Sequence, residues 1–102
     1  MDEKLMDHIL VTLGMLLADR NHRQESEQEV DETLSTYSGN EYHIIWNTGN
    51  TVDIVCYPRD EYLRPKKIAT FYMDGPTIGY DRSFAMMIYG IITGYERVLL
   101  KN

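Results

Sequence analysis

The feature that most constrains the fold is a pair of short alternating segments on either side of a turn, YHIIWNTGNTVDIVCYP at residues 42–58. Apolar side chains recur at every second position, which is the period of a strand with one buried face. The Gly-Asn pair between the segments is typical of a tight hairpin turn. We therefore predict two antiparallel strands, at residues 42–47 and 51–57. The side chains expected on their shared face are Tyr42, Ile44, Trp46, Val52, Ile54 and Cys56.

Further strands are expected after this hairpin. The segment KIATFYM at residues 67–73 has strand composition and is closed by Asp-Gly-Pro, and residues 77–80 are a candidate short fourth strand. Residues 58–66, PRDEYLRPK, contain a proline near each end and are predicted to form an exposed loop or one irregular turn. The sheet should therefore contain three or four strands.

Two segments repeat apolar residues at the period of an α-helix. The first covers residues 3–20, and the second follows Asp81 and Ser83, either of which can cap a C-terminal helix. The first stripe is Leu5, Ile9, Leu13 and Leu16, and the second is Phe84, Ile88, Ile91, Tyr95 and Val98.

A third helix is predicted at residues 26–37. Ser26 followed by Glu29 is a capping-box pattern, and Val30, Leu34 and Tyr37 then fall at helical spacing. The complete order predicts one α+β domain over residues 1–102. It would consist of two N-terminal helices, a three- to four-stranded antiparallel sheet, and a C-terminal helix packed on one face.

The whole net charge of −6 lies in the first third of the chain. Residues 1–37 contain nine acidic and three basic residues, whereas residues 38–102 contain seven of each. This charge disfavours direct binding to nucleic acid or to an anionic membrane, since both are polyanions. A charged partner should be basic. With a single cysteine and no apolar run long enough to span a bilayer, a cytoplasmic location is expected.

No recognisable catalytic or cofactor motif is present, so neither a catalytic residue, a metal nor a cofactor is predicted. His22, Glu25 and Glu29 have metal-ligand chemistry but span a predicted connection, and solvated side chains are the simpler interpretation. Cys56 lies between apolar strand neighbours, which favours a buried thiol over a nucleophile. An enzyme with an unrecognised site is a minor alternative. The basic loop Arg59, Arg64, Lys66 and Lys67 suggests contact with an acidic surface more than with single-stranded nucleic acid.

The acidic segment QESEQEVDET, at residues 24–33, allows two interpretations. Its carboxylates can simply form a solvated helix face that favours solubility. They can also occupy arginine and lysine pockets that normally hold phosphates, because both anions accept the same charge-assisted hydrogen bonds. The expected contact residues are Glu25, Glu27, Glu29, Asp31 and Glu32, with Tyr37 and Tyr42 as rim anchors.

Three features of the chain support a resemblance. These are its size, the predicted acidic helix SEQEVDETLSTY, and the meander YHIIWNTGNTVDIVCYP that continues to KKIATFYMDG before a closing helix. In these features the chain resembles small acidic phage and mobile-element inhibitors. The anti-CRISPR proteins are the group that it resembles in particular. The resemblance implies a non-enzymatic inhibitor that occludes a basic surface of a nucleic-acid-handling protein. It assigns no role to an individual residue.

A homodimeric structural or accessory protein is the alternative. The C-terminal helix is predicted to be apolar on nearly all sides through its first half, which a short chain rarely covers by itself. Its expected interface residues are Met86, Tyr89, Gly90 and Leu100. Because a dimer would double the acidic surface, homo-oligomerisation is compatible with the inhibitor hypothesis.

Overall fold

A computed structural model describes residues 2–22, 30–36, 38–47, 51–72 and 82–101, with the side chains of residues 20–22, 100 and 101 excepted. Its elements are α1 (Glu3–His22), β1 (Val30–Ser35), β2 (Glu41–Trp46), β3 (Thr51–Tyr57), β4 (Lys66–Tyr72) and α2 (Arg82–Lys101). The four strands form one antiparallel sheet in the order β1-β2-β3-β4. The predicted α+β class and an antiparallel sheet of three to four strands are confirmed, but the described residues contain two helices rather than three, and the strand added to the three predicted ones is β1.

The predicted central hairpin is confirmed, and so is the set of side chains predicted to share one face. Tyr42 pairs with Cys56, Ile44 with Ile54, and Trp46 with Val52, and all six side chains are at most 1% exposed. The turn itself, at residues 48–50, lies outside the described residues.

The helix predicted at residues 26–37 is wrong where the structure describes it, because residues 30–35 form strand β1. Val30 and Leu34 are four residues apart, and that spacing places both on one face of a strand as well as on one face of a helix. In the sheet they pair with Trp46 and Tyr42 and become buried. The capping-box residues at positions 26 and 29 lie outside the described residues.

The last strand and the loop before it agree with the prediction. β4 begins one residue earlier than expected, and its pairing with β3 shifts register between Ile54 and Val55. Residues 59–65 are exposed, and a backbone hydrogen bond from Leu63 to the Asp60 carbonyl closes a turn within them. The candidate strand at residues 77–80 lies outside the described residues.

Both helices contribute to one apolar core against the sheet. α1 contacts β1, β2 and α2, and α2 also contacts β4. The predicted α1 stripe is confirmed as buried, whereas α2 is rotated relative to the prediction. Its fully buried residues are Ala85, Ile88 and Ile92, and Val98 is 55% exposed, so the prediction was wrong for Val98. Among the described helices, neither is long and apolar enough to cross a membrane.

The other side of the sheet, which we call the open face, carries the alternate side chains of each strand. Asp31, His43, Asp53 and Thr70 lie there, one from each strand in turn. These side chains range from partly buried to exposed, whereas their neighbours along the strands pack in the core. The open face therefore displays polar chemistry on a rigid support.

Candidate functional site

The structure separates the acidic residues that were predicted to act together. Asp31 is exposed on the open face, while Glu32 lies on the core side of the same strand and is partly buried. A strand alternates its side chains, so these two carboxylates cannot form the single surface that a helix would have given them. The contact residues predicted at positions 25, 27, 29 and 37 lie outside the described residues.

Tyr42 does not lie on the rim of a contact surface. Its side chain has no exposed area, because it faces the core from the middle of the hairpin. The alternation that correctly predicted the strand already placed Tyr42 with Ile44 and Trp46. The anchor role expected for Tyr42 is therefore incompatible with its position in this fold.

A compact group on the open face, Asp31, Glu41, His43 and Tyr57, is the first candidate site, and we call it the His43 cluster. The His43 Nδ1 atom is 3.0 Å from both carboxylate oxygens of Asp31, and its Nε2 atom is 3.3 Å from Oε2 of Glu41. The His43 and Tyr57 ring centroids are 4.3 Å apart. His43 pairs with Thr33 of β1 and with Val55 of β3. Asp31 and Tyr57 each lie two residues from one of these partners, so their side chains are on the same face of the sheet as His43.

His43 is held between two carboxylates, and this changes its charge. Partial burial lowers the pKa of the imidazole, but the hydrogen bonds to Asp31 and Glu41 raise it more, so the pKa lies above its ordinary value of 6.5. The imidazolium form therefore offsets part of the negative charge of the cluster near neutral pH. Both carboxylates keep access to water, with 40% of the Asp31 side chain and 50% of the Glu41 side chain exposed.

Asp53, on the same face, has its charge fully engaged within the sheet. It accepts hydrogen bonds from Asn47 Nδ2 at 2.8 Å and Thr70 Oγ1 at 2.7 Å, and Lys67 Nζ lies 3.6 Å away. Burial raises the pKa of Asp53, but these contacts lower it more, so the net shift is downward. Lys67, from the predicted basic loop, therefore neutralises an acid of its own sheet.

The second candidate site is centred on Glu96, which sequence reasoning did not identify. Glu96 Oε1 accepts hydrogen bonds from Thr36 Oγ1 and Ser38 Oγ, and Oε2 accepts one from Asn40 Nδ2, each at 2.5 Å. These bonds join α2 to the connection between β1 and β2. Gly39 lies within that connection and has a φ of 88°, a backbone conformation that favours glycine.

The hydrogen bonds to Glu96 favour its ionised form. Burial raises the pKa of the carboxyl group, but the donors Ser38, Thr36 and Asn40 outweigh burial and bring the pKa below its ordinary value of 4.5. The buried Tyr42 hydroxyl lies near Glu96 and Cys56 without a hydrogen bond of standard geometry. Burial and those two neighbours raise the pKa of Tyr42 far above its usual value, so the hydroxyl stays neutral.

A pocket of about 540 Å³ opens beside this carboxylate, and we call it the Glu96 pocket. It is lined by Ser38, Asn40, Pro58, Arg59, Asp60, Leu63, Glu96 and Leu99. Three distant segments supply these residues, so no local spacing could have predicted the pocket. The available signal was Glu96 itself, which is the only acidic residue of α2.

The outer side of α2 carries the residues predicted for a dimer interface. Met86 is 46% exposed, Met87 is 53% exposed, and a Cβ atom placed at Gly90 would have no described heavy atom within 4 Å. Tyr89 differs because its hydroxyl accepts a 2.7 Å hydrogen bond from the Asp2 amide, which ties the start of α1 to α2. The Leu100 side chain lies outside the described part.

Cys56 is poorly placed to act as a nucleophile, and the described residues form no metal-ligand group. Cys56 has no exposed area, and burial, with Glu96 nearby, raises the pKa of its thiol despite an opposing contact with Tyr42. No group of three or more His, Cys, Asp or Glu side chains in the described ranges could hold a metal ion. The side chain of His22 and residues 25 and 29, which were considered as metal ligands, lie outside the described part of the chain.

No protein-family model, characterised protein or solved structure matches the chain. What the protein does must therefore be inferred from the surfaces described above.

Proposed function

We propose that this protein is a non-enzymatic binding protein that inhibits a nucleic-acid-handling partner by occluding a basic surface of that partner. The supporting observation is the His43 cluster, in which Asp31 and Glu41 present exposed carboxylates next to the exposed ring of Tyr57. Among the described residues, neither carboxylate pairs with a lysine or arginine of its own chain. The cluster can therefore accept cations from another molecule.

The chemistry of the cluster suits the surface that a nucleic acid would normally occupy. Arginine and lysine side chains that bind phosphates also bind carboxylates through charge-assisted hydrogen bonds. Tyr57 adds an aromatic face on which a guanidinium group can stack. Because the sheet fixes the cluster, little conformational entropy is lost when a partner binds.

The remaining predicted contact residues would extend this surface. Glu25, Glu27 and Glu29 precede Asp31 by two to six residues. An extended chain spans at most about 3.6 Å per residue, so the Cα atoms of these residues would lie within about 22 Å of the Asp31 Cα atom. Occlusion of this kind requires no catalysis and no cofactor. We place this function in the cytoplasm, as the sequence suggests.

The proposal is tested by affinity capture with the immobilised protein in a nuclease-treated lysate of the organism that encodes it. The test variant is Asp31→Lys with Glu41→Lys. The control, Asp7→Lys with Glu61→Lys, makes the same change in net charge at two exposed positions outside the cluster. We expect the wild type and the control to retain a nucleic-acid-binding protein in a salt-sensitive manner, and the test variant to lose it. Equal retention by both variants would contradict the proposal.

A homodimer through α2 is the second candidate, and the half-exposed Met86 and Met87 are the observation that favours it. Adjacent exposed methionines supply the flexible apolar contacts that interfaces use. Light scattering on a sizing column should give a dimer mass that persists at high salt. Replacing both methionines with Glu should give a monomer, and Val11→Glu on the exposed side of α1 should not. A monomeric wild type would exclude this candidate.

A further inference from the structure

We infer that the Glu96 pocket binds an alkyl guanidinium group, the side chain of an arginine on the partner that the protein occludes. This inference rests on the proposed function and adds a second, deeper contact to the His43 cluster. It assigns a ligand chemistry to a pocket whose residues have no role in the binding surface described above.

The first step is the charge at the pocket wall. The Glu96 carboxylate is ionised, and the three groups that hydrogen-bond to it, from Thr36, Ser38 and Asn40, are neutral. Among the described residues, no lysine or arginine forms an ion pair with it. The buried Tyr42 hydroxyl, which lies near Glu96 without a hydrogen bond of standard geometry, is neutral as well, so none of these groups cancels the negative charge. The pocket therefore contains a negative charge that lacks a cationic partner within the described chain.

The second step is the charge balance of the lining. Arg59 contributes one positive charge, while Asp60 and Glu96 contribute two negative charges, so the lining has a net charge of −1. The Arg59 side chain lies against Gly39, and a Cβ atom placed on that glycine would be 2.7 Å from Arg59 Cδ. The net charge of −1 disfavours an anionic ligand and favours a cation.

The third step is the shape and polarity of the pocket. A volume of about 540 Å³ accommodates a long side chain, and Pro58, Leu63 and Leu99 provide apolar wall for a methylene stem. Ser38 and Asn40 surround the carboxylate with polar groups. A ligand with an apolar stem and a cationic tip matches this arrangement, whereas a small metal ion would need several more ligands.

The fourth step favours guanidinium over ammonium. A guanidinium group has five donors in one plane, so it can bind a carboxylate and still donate to a neighbouring hydroxyl or amide oxygen. Its weaker hydration also lowers the cost of entering a half-apolar pocket. An arginine of the partner is therefore a better ligand than a lysine.

The test is a titration of the isotopically labelled full chain with Nα-acetyl-arginine amide, followed by amide chemical shifts in NMR spectra. The neutral analogue Nα-acetyl-citrulline amide has nearly the same shape and is the control ligand. We expect saturable shifts at the amides of Gly39, Asn40 and Arg59 with the arginine probe, and at least about tenfold weaker binding of citrulline, the difference made by one charge-assisted contact. Absence of saturable shifts there, or equal binding of both probes, would overturn the inference. Tighter binding of unmodified arginine would overturn its assignment to a partner's side chain.

Two variants keep the test decisive. Glu96→Gln removes the charge and should weaken binding about tenfold. Since this change also alters the link between α2 and the β1–β2 connection, Leu63→Lys provides a second test. Leu63 is 49% exposed on the pocket wall, so a lysine there can present its own cation to Glu96 and compete with the probe. Glu61→Gln, outside the pocket lining, should bind the probe like the wild type. Unchanged binding by both pocket variants would contradict the inference.

The two proposals can fail separately. If the arginine probe does not bind but partner capture still depends on Asp31 and Glu41, only the pocket assignment is wrong. If the probe binds and no partner depends on Asp31 and Glu41, the occlusion proposal is wrong, and with it the assignment of the pocket to a partner's arginine.

Discussion

At the scale of single residues, Glu96 couples α2 to the β1–β2 connection through its ionised carboxylate. Because its pKa is lowered in the folded protein, the stabilisation is complete above the unfolded value of 4.5 and is lost as pH falls through the folded pKa. Glu96→Gln should therefore reduce the free energy of unfolding by about 1–2 kcal/mol at neutral pH. Urea denaturation should show this difference shrinking towards about pH 3. An equal difference at both pH values would contradict the account.

His43 should show the opposite dependence on pH. Its pKa is raised by Asp31 and Glu41, so the stabilisation is complete below the unfolded value of 6.5 and is lost as pH rises through the folded pKa. His43→Gln should therefore destabilise the protein more at about pH 6 than at about pH 9. NMR titration of the imidazole should give a pKa above 6.5 that falls in Asp31→Asn. A pKa unaffected by that substitution would show that the carboxylate contact is not formed.

Gly39 should tolerate no side chain. Alanine at a φ of 88° is strained by about 1–2 kcal/mol, and its Cβ would also meet Arg59 Cδ at 2.7 Å. Thermal or urea unfolding should show that Gly39→Ala is destabilising in the wild type and less so in an Arg59→Ala background, where the contact is relieved but the backbone strain remains. An equal cost in both backgrounds would remove the side-chain contact from the explanation.

At the scale of elements, β1 shows how much a sequence pattern can determine. The hairpin of β2 and β3 was predictable because apolar residues at every second position, in two segments joined by a Gly-Asn turn, indicate a pair of strands. The Val30 to Leu34 spacing fits both a strand and a helix, and pairing with β2 decides between them. Local propensity favoured a helix, whereas the buried contacts with Trp46 and Tyr42 exist only in the sheet.

The helix α2 illustrates a second limit. Its apolar residues occur on nearly all sides, so periodicity could locate the helix but could not fix its rotation. The structure buries Ala85, Ile88 and Ile92 and directs Glu96 to the β1–β2 connection. The observed rotation therefore combines apolar burial with a polar contact to a distant segment, and that contact is not encoded in the spacing within the helix.

The strand assignment of β1 predicts a specific pattern of mutational effects. Leu34 is 6% exposed and packs in the core, so Leu34→Ala should destabilise the protein by about 2–4 kcal/mol. The adjacent Ser35 is exposed on the opposite side of the strand, and Ser35→Ala should change stability by no more than about 0.5 kcal/mol. Both values follow from urea denaturation. Similar effects at the two positions would contradict the alternation of β1.

At the scale of the whole molecule, the structure shows where only some of the acidic residues in the first third of the sequence lie. Asp31 lies on the open face, as does Glu41 from outside the first third, and Glu32 points to the other side of β1. The asymmetry predicted a basic partner, but it could not predict the His43 cluster, which depends on strand register. The Glu96 pocket was less predictable still, because three separate segments build it.

The proposed function requires that the protein exclude nucleic acid from its partner by occupying a basic surface. The most direct measurement is displacement of a labelled oligonucleotide from the captured partner, followed by fluorescence anisotropy as the protein is added. The wild type and the Asp7→Lys, Glu61→Lys control should displace the oligonucleotide, whereas Asp31→Lys with Glu41→Lys should not. A complex in which the partner holds the protein and the oligonucleotide at the same time would contradict it.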